Sequence, residues 1–140
     1  MELSPSTWRI LGLSVTAGYI GLGTFAITQP VLAAQGFGIY PESTPPPSTN
    51  RAFKTDKDEH ASAVTTSMLL LGARDLTIGL ALASFDYQEN PRAMGTLILS
   101  SFVLCGVDVH EIWKLRGPAW GCAFAVGASI WMAIGYGMIQ

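Results

Sequence analysis

The chain has 140 residues, of which 49% are hydrophobic and only 13% charged, with a formal net charge of −2. Mean hydropathy is +0.36, and the charges gather in a few places, the profile of a single integral membrane domain rather than a soluble one. No basic tract of the kind nucleic acid demands is present.

The first apolar segment covers residues 8–34, with Arg9 its only charge. It exceeds the roughly 20 residues that cross a hydrocarbon core. Trp8 is placed to anchor one interface, and Pro30 is expected to kink or end the helix. Val31-Leu32-Ala33-Ala34 resembles a signal-peptide cleavage site. The apolar run is long for a signal peptide and Glu2 is acidic, so a retained span is expected.

Residues 35–62 change character. Tyr40-Pro41-Glu42-Ser43-Thr44-Pro45-Pro46-Pro47-Ser48 predicts an extended proline-rich loop, followed by a charged stretch ending at His60. It reads either as a solvated connection or as a lid over a pocket in the membrane. A docking site for a soluble partner is a further reading. His60 has no second His or Cys at ligand spacing and is expected in solvent.

Three more spans follow, at 63–85, 91–115 and 118–139. Asp86-Tyr87-Gln88-Glu89-Asn90-Pro91 and Lys114-Leu115-Arg116-Gly117-Pro118 are the turns between them. The expected fold is all-α, an integral membrane four-helix bundle. Short turns predict that spans two, three and four are antiparallel neighbours. Gly121, Ala125, Ser129, Ala133 and Gly137 form a small-residue stripe on span four, with Ala17 and Gly21 a shorter one on span one. Cys105 and Cys122 lack Cys-x-x-Cys spacing and are expected to be buried small residues, with a disulfide or redox pair the alternative.

Lys and Arg set orientation. Arg51, Lys54, Lys57, Lys114 and Arg116 lie at one end of the bundle, against Arg9 and Arg92 at the other. The long loop is therefore expected to be cytoplasmic and both termini lumenal, in the endoplasmic reticulum membrane.

Span two carries Arg74 and Asp75 in its interior, and span three carries Asp108, His110 and Glu111. Ionisable groups at membrane depth are costly unless paired or facing a polar cavity, and mark function by default. Arg74 lies about 15 Å from the loop end of its helix and Asp108 roughly 10 Å from the same end of its own, at 1.5 Å per residue. The charges are thus expected to meet. Asp108 and Glu111, three apart, share a face, and a guanidinium between two carboxylates satisfies its planar donor fork. One reading is a network that only locks the bundle of a structural subunit or small transporter component. The other is an acid–base site. Burial favours a protonated carboxyl and a neighbouring guanidinium favours a carboxylate, which separates an acid from a base.

Gly72-Ala73-Arg74-Asp75-Leu76, then Gly79-Leu80, and Gly106-Val107-Asp108 a span later resemble a family of small four-span membrane proteins of unassigned function with a Gly-x-Arg-Asp-Leu element. That resemblance covers most of the chain after the loop. Size, span count and charge pattern are also similar to membrane-bound hydrolases of fungal polyketide pathways of the aurovertin and citreoviridin type. This implies epoxide hydrolysis or epoxide-opening cyclisation in secondary metabolism. An Arg between two carboxylates also resembles the Asp-Arg-Asp site of limonene-epoxide hydrolases, soluble proteins of another fold, so that likeness is of the site alone.

The functional expectation is a membrane-embedded enzyme acting on a lipophilic small molecule. Asp108 is assigned as base, Asp75 as acid, Arg74 as the group that holds both, and Glu111 as the fourth charge of the catalytic set. Tyr19, Tyr136 and His110 are expected to contact substrate as polar wall, His110 nearer the interface. No cofactor or metal is expected, and a homo-oligomer is compatible with the sequence. Proton-shuttling isomerisation would use the same residues.

Overall fold

A computed structural model describes residues 4–39 and 56–140, with 56–60 by their backbone alone. Every described element is a helix. Helix α1 is Pro5–Thr28, α2 Pro30–Gly36, α3 Asp56–Tyr87, α4 Pro91–Ser100, α5 Phe102–Arg116 and α6 Pro118–Ile139. Four stretches are long and apolar enough to span a membrane: α1, α3 from Ala61, α4 with α5, and α6. The protein is an all-α, membrane-spanning four-helix bundle.

Local chemistry sets the boundaries. Ser4 caps α1 by accepting from the Thr7 N–H at 3.3 Å, with Pro5 in the first turn, where no N–H is needed. Gln29 leaves helical geometry just before Pro30, so the first apolar segment is two helices rather than one continuous span. Asn90 caps α4 through Ala93 at 3.0 Å, directly before Pro91. Gly117, at φ +87°, makes the corner between α5 and α6 with a backbone that L side chains rarely adopt.

Helix α3 begins at Asp56, earlier than the apolar boundary at residue 63. The proline-rich segment, and the lid and docking readings placed on it, fall mainly on residues 40–55, outside the described residues, as does the side chain of His60.

Helix α3 packs along α1, not along α5. The cause is backbone approach. A Cβ on Gly23 would lie 2.7 Å from the Leu76 nitrogen and 2.8 Å from the Gly72 carbonyl oxygen, and one on Gly72 would lie 2.8 Å from the Gly23 oxygen. Only glycine at both positions allows that seam. Gly21, by contrast, faces open space. On α6 the expected stripe is not one seam. Gly121 meets Trp113 and Gly137 meets Trp8, whereas the close approach to α4 is made by Gly135 against Gly95. Helix α6 is apolar all round, so small residues alone do not reveal which face is packed.

The third span is tightened midway. At Ser101 the N–H is shared between the carbonyls of Leu97 and Ile98, at 3.1 and 3.2 Å, and the side-chain hydroxyl donates to the Ile98 oxygen at 2.7 Å. Before this point α4 packs against α3, α1 and α6. After it α5 packs against α6 and its backbone approaches neither α3 nor α1 among the described residues.

Two apolar cores result. At the end carrying the termini, Val15, Tyr19, Leu82, Met94, Ile98 and Met138 join all four spans. At the other end Ala26, Ala33, Ala34, Ala61, Val64 and Met68 join only α1, α2 and α3. Between that second core and the α5–α6 pair the bundle is split.

Candidate functional site: a charged crevice within the bundle

The split is a crevice of about 390 Å³, within the range of small-molecule sites. Helix α1 supplies Tyr19 and Leu22, α3 supplies Leu71, Arg74 and Asp75, and α5 supplies Leu104, Cys105, Asp108 and Val109. The α6 wall is Ala123, Phe124, Gly127, Ala128 and Trp131, and Phe37, just after α2, contributes from the loop side. Leu22 and Phe124 in this lining both remain exposed, so the crevice has an open apolar flank.

The glycine seam positions the charges. Gly72 holds α3 against α1, and the next turn carries Arg74 and Asp75 towards the gap. Arg74 Nε donates to Asp75 Oδ1 at 3.0 Å, and its Nη2 reaches across to Asp108 Oδ2 at 3.3 Å. The guanidinium therefore ties two helices whose backbones do not meet. The Asp75 side chain is 8% exposed, that of Arg74 32% and that of Asp108 35%. Asp75 lies deep and Asp108 faces the opening. With both carboxyls ionised the three groups sum to one negative charge, which a single proton neutralises.

The deep end is aromatic. Tyr19 and Trp131 rings are 4.8 Å apart and tilted. At the loop end Phe37 lies 6.3 Å from Phe124 between ring centres. Gly38, at φ +78°, packs its α-carbon against the Arg116 side chain, and Arg116 donates to the Gln35 carbonyl at 3.1 Å. The Arg116 guanidinium also sits 4.5 Å over the Trp120 ring. Arg116 thus ties the end of α2 to the α5–α6 corner.

The structure brings together Arg74, Asp75, Asp108 and Tyr19 from the residues singled out by sequence. Glu111 sits apart. It is exposed, pairs with Lys114 at 3.2 Å, and lines with Asp108 and Phe37 a smaller cavity of about 170 Å³ beside the crevice. Tyr136 is 61% exposed on the outer face of α6, and His110 is exposed and lines none of these cavities. Neither shares the crevice wall, because each lies on a helix face turned outward. Sequence reasoning missed Trp131, Phe37 and Phe124. Uniform apolarity of α6 hid the first and last, and Phe37 follows a short helix whose packing has no periodic signal.

Both cysteines are free thiols, Cys105 half-buried in the crevice wall and Cys122 exposed rather than buried. Among the described residues no three His, Cys, Asp or Glu side chains are grouped to hold a metal. A larger depression of about 610 Å³ lies on the outer side of α4, α5 and α6, but apart from Cys105 it is lined by no ionisable group.

Fold and site define a small membrane-spanning helical bundle with an intramembrane cleft built around an Arg–carboxylate cluster. The chain belongs to the DUF4267 family, described as a domain of unknown function, whose family model matches residues 16–138. That match takes in α1 from Thr16 through nearly all of α6, hence every residue of the crevice. No curated protein and no solved structure matches the chain.

Proposed function

We propose that the protein is a membrane-embedded enzyme that opens an epoxide on a lipophilic small molecule, by water or by a hydroxyl of the same molecule. The observation that carries this reading is the crevice itself. A charge lock alone would draw α3 and α5 together, whereas here Arg74 spans a cavity with both carboxylates at its wall.

Roles follow from access. Asp108, the more open carboxylate, takes a proton from the attacking water or hydroxyl as its oxygen bonds to an epoxide carbon. Asp75, deep in the site and holding the proton that neutralises the cluster, gives it to the epoxide oxygen as the carbon–oxygen bond breaks. Water attack yields a diol and internal hydroxyl attack a cyclic ether. The proton gained by Asp108 returns to Asp75 through solvent, and the cluster is reset with no net change. Arg74 holds both carboxyls and offsets their charge throughout. Tyr19 and Trp131 shape the apolar floor that fixes the substrate in place.

Secondary-metabolite biosynthesis, of the kind suggested by the resemblance to fungal polyketide hydrolases, supplies a fitting substrate class. The Lys and Arg distribution supports an orientation with the crevice end cytoplasmic and the termini lumenal, in an endoplasmic reticulum membrane. The test is turnover of lipophilic epoxides by protein in lipid nanodiscs, with Asp75→Asn and Asp108→Asn as variants. Each is expected to lose about 10²-fold or more of the rate while remaining folded, the usual contribution of a general acid or base. Unchanged turnover in both folded variants would refute the assignment and leave a charge network that locks the bundle.

A further inference from the structure

The charge balance and the aromatic wall of the crevice carry a prediction about ligand class that is independent of turnover. Arg74 already directs Nε at Asp75 and Nη2 at Asp108, so an incoming anion meets a site whose guanidinium is committed and whose remaining charge is negative. An incoming cation meets the opposite. Asp108 faces the opening, and the indole of Trp131 lines the same crevice from α6, its ring 4.8 Å from that of Tyr19. A desolvated cation is attracted to the face of an aromatic ring, with Trp the best partner.

The titratable groups facing this space are few. Helix α1 gives Tyr19, α3 gives Arg74 and Asp75, α5 gives Cys105 and Asp108, and α6 gives none. Glu111, beyond Asp108 in the adjoining cavity, is paired with Lys114. Among the described residues no second cationic side chain lines the crevice to complete the neutralisation of the two carboxyls, which leaves that role open to a proton or a bound cation.

We propose that the crevice binds protonated lipophilic amines, the ammonium seated between Asp108 and the Tyr19–Trp131 pair in place of the cluster's proton. The hydrocarbon part lies along Leu22, Leu71 and Leu104 of the crevice lining. Carboxylate amphiphiles of the same frame are rejected. The amine uses the same site as the proposed reaction but needs no chemistry, so either reading can fail alone.

The test uses the full chain in nanodiscs of zwitterionic phosphatidylcholine, titrated with 4-phenylbutylamine, 4-phenylbutanol and 4-phenylbutyrate, one carbon frame with three head groups. The amine is expected to bind about tenfold more tightly than the alcohol, and the carboxylate to show no saturable binding. Asp108→Asn is expected to erase the amine's advantage over the alcohol. Calorimetry of the wild-type protein in buffers of different ionisation heat is expected to show about one proton released per amine bound. Equal binding of the three probes, or an amine preference that survives Asp108→Asn, overturns the proposal. Should that variant not fold, binding heats that are independent of buffer in the wild-type protein overturn it instead. Amine binding without epoxide turnover would remove the enzyme reading alone, and turnover without amine preference would remove only this one.

Discussion

Replacing Arg74 with Met tests whether the guanidinium holds the split bundle together. The substitution keeps an apolar chain of similar reach and removes the only charged link between α3 and α5 among the described residues. Leaving a buried carboxylate without its partner costs roughly 3–5 kcal/mol. Here Asp75 carries the proton, and the carboxylate left unpaired, Asp108, is about a third exposed, as is Arg74, so solvent recovers part of that and about 2 kcal/mol remains. Reversible unfolding in mixed micelles, followed by helical circular dichroism, measures it. The same account predicts a rescue. Adding Asp75→Asn and Asp108→Asn to Arg74→Met removes the orphaned charge, so the triple variant is expected to regain most of the loss. A stable single variant, or a triple variant no better than the single one, would refute the idea that the three side chains form one electrostatic unit.

The glycine seam gives a sharper contrast. Gly23→Val puts carbon against the backbone of α3 and is expected to cost about 1–3 kcal/mol in the same unfolding assay, the usual penalty of overpacking, while Gly21→Ala, facing open space, leaves the midpoint unchanged. On α6, Trp131→Ala is expected to weaken ligand binding measured in nanodiscs, because it removes the crevice floor, whereas Tyr136→Ala on the outer face does not. Phe37→Ala enlarges the loop-side end, where Phe37 borders both the crevice and its smaller neighbour. Bulkier members of a homologous ligand series are then expected to gain affinity relative to the smallest.

The span count was legible because it depends on local quantities, apolar run length and the prolines and glycines that bound each run. The meeting of Arg74, Asp75 and Asp108 was legible for a related reason. Charges in an apolar segment must find one another, and helix rise fixes their depth. Which helix accompanies α3 was not legible. A short turn fixes chain order but not side-by-side packing, and here Gly23 and Gly72 draw α3 onto α1. That seam had a signal in principle. Gly12, Thr16, Tyr19, Gly23 and Ala26 recur at helical spacing and are the buried face of α1, whereas Ala17 and Gly21 lie on another. For α6 no such signal exists. Its apolar residues surround the helix, so nothing in their pattern marked Trp131 rather than Tyr136 as the one that lines a pocket. Only the tertiary structure separates them.

The central claim is that a lipophilic ligand occupies the crevice beside Arg74. Photo-cross-linking in nanodiscs with a lipophilic diazirine, read by peptide mass spectrometry with and without an excess of unreactive competitor, tests it most directly. Adducts that the competitor removes are expected on Leu71 to Asp75, Leu104 to Val109 and Trp131. Competitor-sensitive adducts confined to outward-facing residues such as Val126, Ile130 and Tyr136, with none on the crevice wall, would contradict it.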